Sequence, residues 1–241
     1  MINKIALSIT IYQIIIALGV VLSGILLFML HKNALKLPEK WRKSLSLINF
    51  QRSIFLLMIY IVINLICEII SYYLARHHAY NSFVLSINMT LSTPFLFGFL
   101  FINTLKSWKR YSYIILYGAL VAYFITGGYY HPRSILDGNS SLIMSTICFL
   151  GALIHLTDLL INPKSDYFKF QLKITTSFLI FNLLSNIFSS FCWFNDEFST
   201  RYFEPVFYIH LSNATLFYLS YMLFFIIEIR KLQRPSMLKK H

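Results

Sequence analysis

Residues 5–30 read IALSITIYQIIIALGVVLSGILLFML. The stretch holds no charged side chain and no proline. It is longer than the roughly 20 helical residues needed to cross a hydrocarbon core about 30 Å thick. In lipid, only an α-helix or a closed barrel satisfies every backbone N–H and C=O. Barrel strands would show segments of about ten residues with alternating polarity, whereas this run is continuously apolar, so it predicts a transmembrane helix. Only Lys4 precedes it and no small-residue cleavage site follows, which predicts a permanent helix rather than a removed signal peptide.

Six further runs of the same kind cover 54–75, 83–105, 111–130, 141–161, 172–194 and 208–230. Over all 241 residues, 57% are hydrophobic and 12% charged, against about 45–50% and about 25% in soluble domains. Mean hydropathy is +0.65. These values exclude a soluble globular enzyme and a disordered chain. The sequence therefore predicts an all-α polytopic membrane protein. Residues 1–241 are expected to form a single seven-transmembrane-helix bundle with a basic tail at 231–241.

The net charge of +12 finds its account in topology rather than in nucleic acid, which is not expected as a partner. Basic residues collect in the cytoplasmic loops of membrane proteins. Here one side carries Lys32, Lys36, Lys40, Arg42, Lys43 and Arg52, then Lys106, Lys109 and Arg110, then Lys164, Lys169 and Lys173. The tail adds Arg230, Lys231, Arg234, Lys239 and Lys240. The other side has Lys4, Arg76, Arg133 and Arg201. That imbalance predicts the N-terminus outside and the C-terminus cytoplasmic. Of the cytoplasmic set, Lys32, Lys36, Arg42, Lys43, Lys106, Lys109, Arg110, Arg230 and Lys231 are candidates for contact with anionic lipid or a protein partner. The longest basic loop, with Trp41, reads either as an amphipathic segment on the lipid surface or as a solvated loop that fixes topology.

Ionisable and amide side chains inside helices are costly and mark candidate sites. In the outer half these are Glu68, with Asn64 on the same stripe, and Asn88, Asn186, Asn213 and His210. Each belongs to a helical face that should turn inward. Converging, they would form a polar cavity open to the outside; dispersed, they would serve as interhelical hydrogen bonds. Glu68 reads as a proton-dependent switch or as a protonated donor in the core. In the inner half, His155 and Asp158 stand three residues apart on one helix face. One His and one carboxylate fall short of the three protein ligands zinc wants, so no metal site is expected. Cys67, Cys148 and Cys192 share no ligand or redox spacing.

No nucleophile elbow, P-loop or dinucleotide fingerprint is present. The seventh run has no lysine for a retinal Schiff base. Neither an enzyme nor a cofactor is expected.

The stretch 139–194, NSSLIMSTICFLGALIHLTDLLINPKSDYFKFQLKITTSFLIFNLLSNIFSSFCWF, resembles the orphan seven-helix proteins of Bacteroidota. In those a helix ends in a Leu-Leu-x-Asn-Pro turn, here Leu159 to Pro163. A helix of aromatic, Leu, Ile, Phe and Asn character follows, here Phe178 to Asn182. Related bundles are fused to histidine kinases or helix-turn-helix proteins and look like membrane sensors. The resemblance implies a sensor or receptor in a bacterial cytoplasmic membrane and brings no catalytic residues. With no output domain after the seventh run, the signal is expected to pass to a separate protein. The alternatives are an oligomerising structural, effector or pore-forming subunit, then a proton-coupled carrier or membrane enzyme using Glu68 or the His155 and Asp158 pair. The oligomeric state is not fixed by sequence.

Overall fold

Continuous apolar runs in a setting without water leave the backbone one economical choice, the i to i−4 hydrogen bond, and the chain takes it throughout. The computed structural model describes residues 2–35, 45–76, 82–104, 107–123, 125, 138–161, 167–194 and 203–233. Among these lie seven α-helices: α1 (Ile2–Leu35), α2 (Leu45–Arg76), α3 (Ser82–Asn103), α4 (Ser107–Tyr123), α5 (Gly138–Ile161), α6 (Phe168–Phe194) and α7 (Phe203–Gln233). Four of them are long and apolar enough to cross a membrane, over Leu7–Leu35, Leu47–Leu74, Leu142–Ile161 and Tyr208–Gln233. The protein is an all-α, multi-spanning integral membrane protein.

The helices do not stop where the apolar runs stop. α2 begins at Leu45 rather than near 54, and α6 at Phe168 rather than near 172. Backbone hydrogen bonding continues past the hydrocarbon edge, where polar side chains are tolerated. α4 is described to Tyr123; residues 126–130 of its expected span, and the Trp41 segment, lie outside the described residues.

Packing order follows the chain, and α1 also meets α7 and α3 also meets α5. α1 packs between α2 and α7, α2 against α3, α5 against α6, and α6 against α7, while α3 meets both α4 and α5. α4 also packs on α5, so it sits at the flank of the ring made by the other six. Cross-helix bonds show that α2 and α3 run antiparallel. Asn88 meets Asn64 and Asn103 meets Ser53, so one strand of numbering rises as the other falls.

An aromatic cluster fills the centre. Phe178 of α6 is 1% exposed. Its ring meets Tyr60 of α2 at 5.7 Å, Phe217 at 5.1 Å and Tyr221 at 5.4 Å between centroids. Such tilted and edge-on pairs contribute about 0.5–1.5 kcal/mol beyond area burial. Leu7, Ile14, Val21 and Phe28 of α1 are exposed, as expected of a face turned to lipid.

Pro94 lies inside α3. It has no N–H, so the carbonyl of Thr90 one turn earlier loses its helical donor. The Tyr117 hydroxyl of α4 donates to that carbonyl at 3.3 Å, which repairs the gap from a neighbouring helix.

α3 and α5 approach closely at Gly151. A Cβ there would sit 3.0 Å from Phe97 Cε1 and 3.5 Å from Leu100 Cδ1. Gly151→Leu is expected to lower stability by about 1–3 kcal/mol through overpacking. Unfolding of the detergent-solubilised protein measures this; a neutral result would mean α3 and α5 are free to separate.

Candidate functional site

A polar cluster that joins several helices lies at the basic end of the bundle. It is built where α3 ends, α4 begins and α5 ends. Thr104 follows the last residue of α3, and its single hydroxyl proton goes to the Leu100 carbonyl at 2.7 Å, since a carbonyl can only accept. The two lone pairs that remain are used from two other helices. Tyr113 of α4 lies 3.0 Å from Thr104 Oγ1 and His155 Nδ1 of α5 lies 3.3 Å from it. With Thr104 committed as acceptor, Tyr113 donates its O–H and His155 donates Nδ1–H. His155 is fully buried, and Phe99 of α3 meets its ring edge-on at 6.2 Å.

One turn further out, Lys109 Nζ lies 3.4 Å from Asp158 Oδ1, with the two side chains 5% and 2% exposed. Lys109 also donates to Thr157 Oγ1 at 3.3 Å. The next residue, Arg110, donates Nε–H to the Thr104 carbonyl at 2.8 Å and stacks on Phe101. That carbonyl is one of those a helix end leaves without an intrahelical partner, so α4 caps α3.

On its other side the end of α3 reaches α2 and α6. Asn103 Nδ2 donates to Ser53 Oγ at 2.9 Å and to the Phe99 carbonyl at 2.7 Å. Gln171 Nε2 of α6 donates to Asn103 Oδ1 at 2.7 Å. Five helices thus meet through side chains around two consecutive residues, Asn103 and Thr104.

Comparison with protein-family models, curated proteins and solved structures gives no match.

The outer candidates occupy three different helix contacts. Asn88 donates to Asn64 Oδ1 at 3.0 Å between α3 and α2, and Asn64 in turn donates to the Tyr60 carbonyl. Asn186 of α6 accepts from Ser145 at 2.6 Å and Thr146 at 2.9 Å of α5. Asn213 of α7 donates to the Phe181 carbonyl at 3.3 Å and Ser185 Oγ at 3.4 Å of α6. Glu68 is half-buried, and its backbone carbonyl accepts from Gln13 Nε2 of α1 at 3.3 Å. His210 is exposed.

His155 and Asp158 do share a face, and the structure gives each a partner from another helix. Lys109, expected among the basic residues for lipid or partner contact, is turned inward to Asp158. Arg110 is half-buried at its capping position. Lys32 and Arg230 are exposed at helix ends, and Lys231 pairs with Glu228 one turn earlier. Lys36, Arg42, Lys43 and Lys106 lie outside the described residues. No group of three or more His, Cys, Asp or Glu side chains that could hold a metal ion occurs among the described residues.

Proposed function

We propose that this chain is a seven-span, non-enzymatic sensor or receptor of a bacterial cytoplasmic membrane, with its N-terminus outside and its C-terminus inside. On this reading a small molecule, lipid or partner helix acts on the outer half, and the basic end passes the change to a separate cytoplasmic protein. The observation that carries it is the buried Lys109–Asp158 pair. An ion pair costs several kcal/mol per ion to desolvate and is seldom the most stabilising choice for a site. Its best use is to hold one of two arrangements, and this pair ties α4 to α5 beside a junction of five helices. A ligand that favours the other arrangement need only outweigh that difference to shift the population. The distribution of basic residues supports the orientation, and the resemblance of 139–194 to the Bacteroidota bundles supports the sensor class.

The test is a proximity-labelling enzyme fused after residue 241 in living cells. The comparison is with the pair-free Lys109→Met/Asp158→Leu protein at matched abundance. A recurrent set of cytoplasmic proteins that changes in the double variant is the expected result. Labelling of exterior proteins would reverse the orientation, and an unchanged or empty set would remove the signalling role.

A second reading, an oligomerising or pore-forming subunit, draws on α4. Its Ile115, Gly118, Ala119 and Ala122 are exposed, and a Cβ on Gly118 would meet nothing within 4 Å. Small residues let membrane helices approach closely. A defined homo-oligomer that leaks ions in liposomes would favour this reading over the first.

A further inference from the structure

The five-helix junction leaves three buried polar atoms without a partner among the described residues: His155 Nε2, Gln171 Oε1 and Thr175 Oγ1. Two of them are acceptors by necessity. Because His155 donates through Nδ1 to Thr104, its Nε2 carries a bare lone pair. Because Gln171 donates through Nε2 to Asn103 Oδ1, its Oε1 is likewise an acceptor. The amide of Asn103 is itself fixed, since its Nδ2 donates to Ser53 and Phe99.

The three atoms come from converging faces. Asn186 bonded to Ser145 and Thr146 sets the antiparallel register of α5 and α6. Counting from there brings His155 level with Thr175, within about 3 Å along the helix axis. Gln171 lies one turn from Thr175 on the same face of α6. His155 is tied to Thr104 and Gln171 to Asn103, adjacent residues at the end of α3.

We propose that this junction of α3, α5 and α6 is a binding site for a single water molecule that bridges His155 Nε2 and Gln171 Oε1 and meets the Thr175 hydroxyl. The chemistry selects the occupant. Two bare acceptors require a species that brings two protons, and the Thr175 hydroxyl can donate to its oxygen. Buried waters typically make about three such bonds to groups that otherwise lack partners. A metal ion such as zinc would want at least three protein ligands, and no group of three or more His, Cys, Asp or Glu side chains occurs among the described residues. With the water in place the bonds close into a loop: Thr104, His155, water, Gln171 and Asn103. Tyr113 enters that loop from α4 and Ser53 from α2. The site rests on the hydrogen-bond geometry and stands whether or not the chain is a sensor.

The test is nitrogen-15 spectroscopy of histidine side chains in the full chain in lipid nanodiscs, with His155→Gln used to assign the signal. The expected spectrum shows His155 neutral with its proton on Nδ1. Its Nε2 resonance is displaced toward the position of a hydrogen-bonded acceptor, with a cross-peak to water. Thr175→Val combined with Gln171→Leu should abolish the cross-peak and move Nε2 toward the unbonded position, while Thr175→Ser retains both. A proton on Nε2, or an Nε2 resonance with no water cross-peak in the wild-type and Thr175→Ser proteins, would overturn the proposal.

Discussion

Asp158→Ala is expected to destabilise the protein by about 3–5 kcal/mol, the cost of breaking a buried pair and leaving its partner charged. The Lys109 side chain is 5% exposed and its ammonium has the Asp158 carboxylate at 3.4 Å. With the carboxylate gone, the Thr157 hydroxyl remains as a neutral acceptor and does not balance the charge. Lys109→Met combined with Asp158→Leu removes both charges and keeps apolar volume, so most of the loss should be recovered. The comparison of single and double variants by unfolding in bicelles reads the coupling directly. If Asp158→Ala loses less than about 1 kcal/mol, the lysine has reached water or headgroups, and the pair is a surface contact of the kind worth little.

Phe178→Ala should cost about 3 kcal/mol, the lower end of the range for removing a buried phenyl ring. The lower end applies because in a bilayer the unfolded helices remain in an apolar solvent, so the loss comes from packing and from the cavity, with little from transfer out of water. Phe178 touches Tyr60, Phe217 and Tyr221, and its removal strips contacts from α2 and α7 together. Phe178→Leu, which refills most of the space, should cost about 1 kcal/mol. The same unfolding assay decides. Equal effects of Ala and Leu would mean that the ring's shape is not what joins the three helices.

The helices themselves were legible because composition and uninterrupted hydropathy demand them; α1 and α7 are placed by their apolar centres alone. The inner cluster was less legible, and for a definite reason. Hydropathy cuts each run where polar residues begin, and four members of the cluster, Ser53, Lys109, Arg110 and Gln171, lie beyond those cuts. Ser53 precedes the second run and Gln171 the sixth, while Lys109 falls between the third and fourth. Lys109 beside Trp108 and Arg110 reads as a topology charge, because nothing in local sequence announces a carboxylate on another helix. The pairing of Thr104 with His155 is equally invisible to periodicity, which assigns a face but names no neighbour. An intramembrane carboxylate such as Asp158 needs a basic partner, and that requirement is the one signal in the sequence that points to a lysine or arginine at a neighbouring helix end. The outer asparagines show the reverse case. Their helical spacing marked faces turned toward other helices, and the structure supplies their partners as Ser145, Thr146, Ser185 and one another.

The placement of α1 between α2 and α7 has a consequence for biogenesis. Tyr12 and Tyr218 pack with ring centroids 5.9 Å apart, although almost the whole chain is synthesised between them. Contacts of such sequence separation form late. While the ribosome is still translating, the side of the first helix reserved for the seventh must be occupied by lipid or by the insertion machinery. Until its last helix is delivered, the nascent protein therefore exposes a helix face that the finished bundle buries.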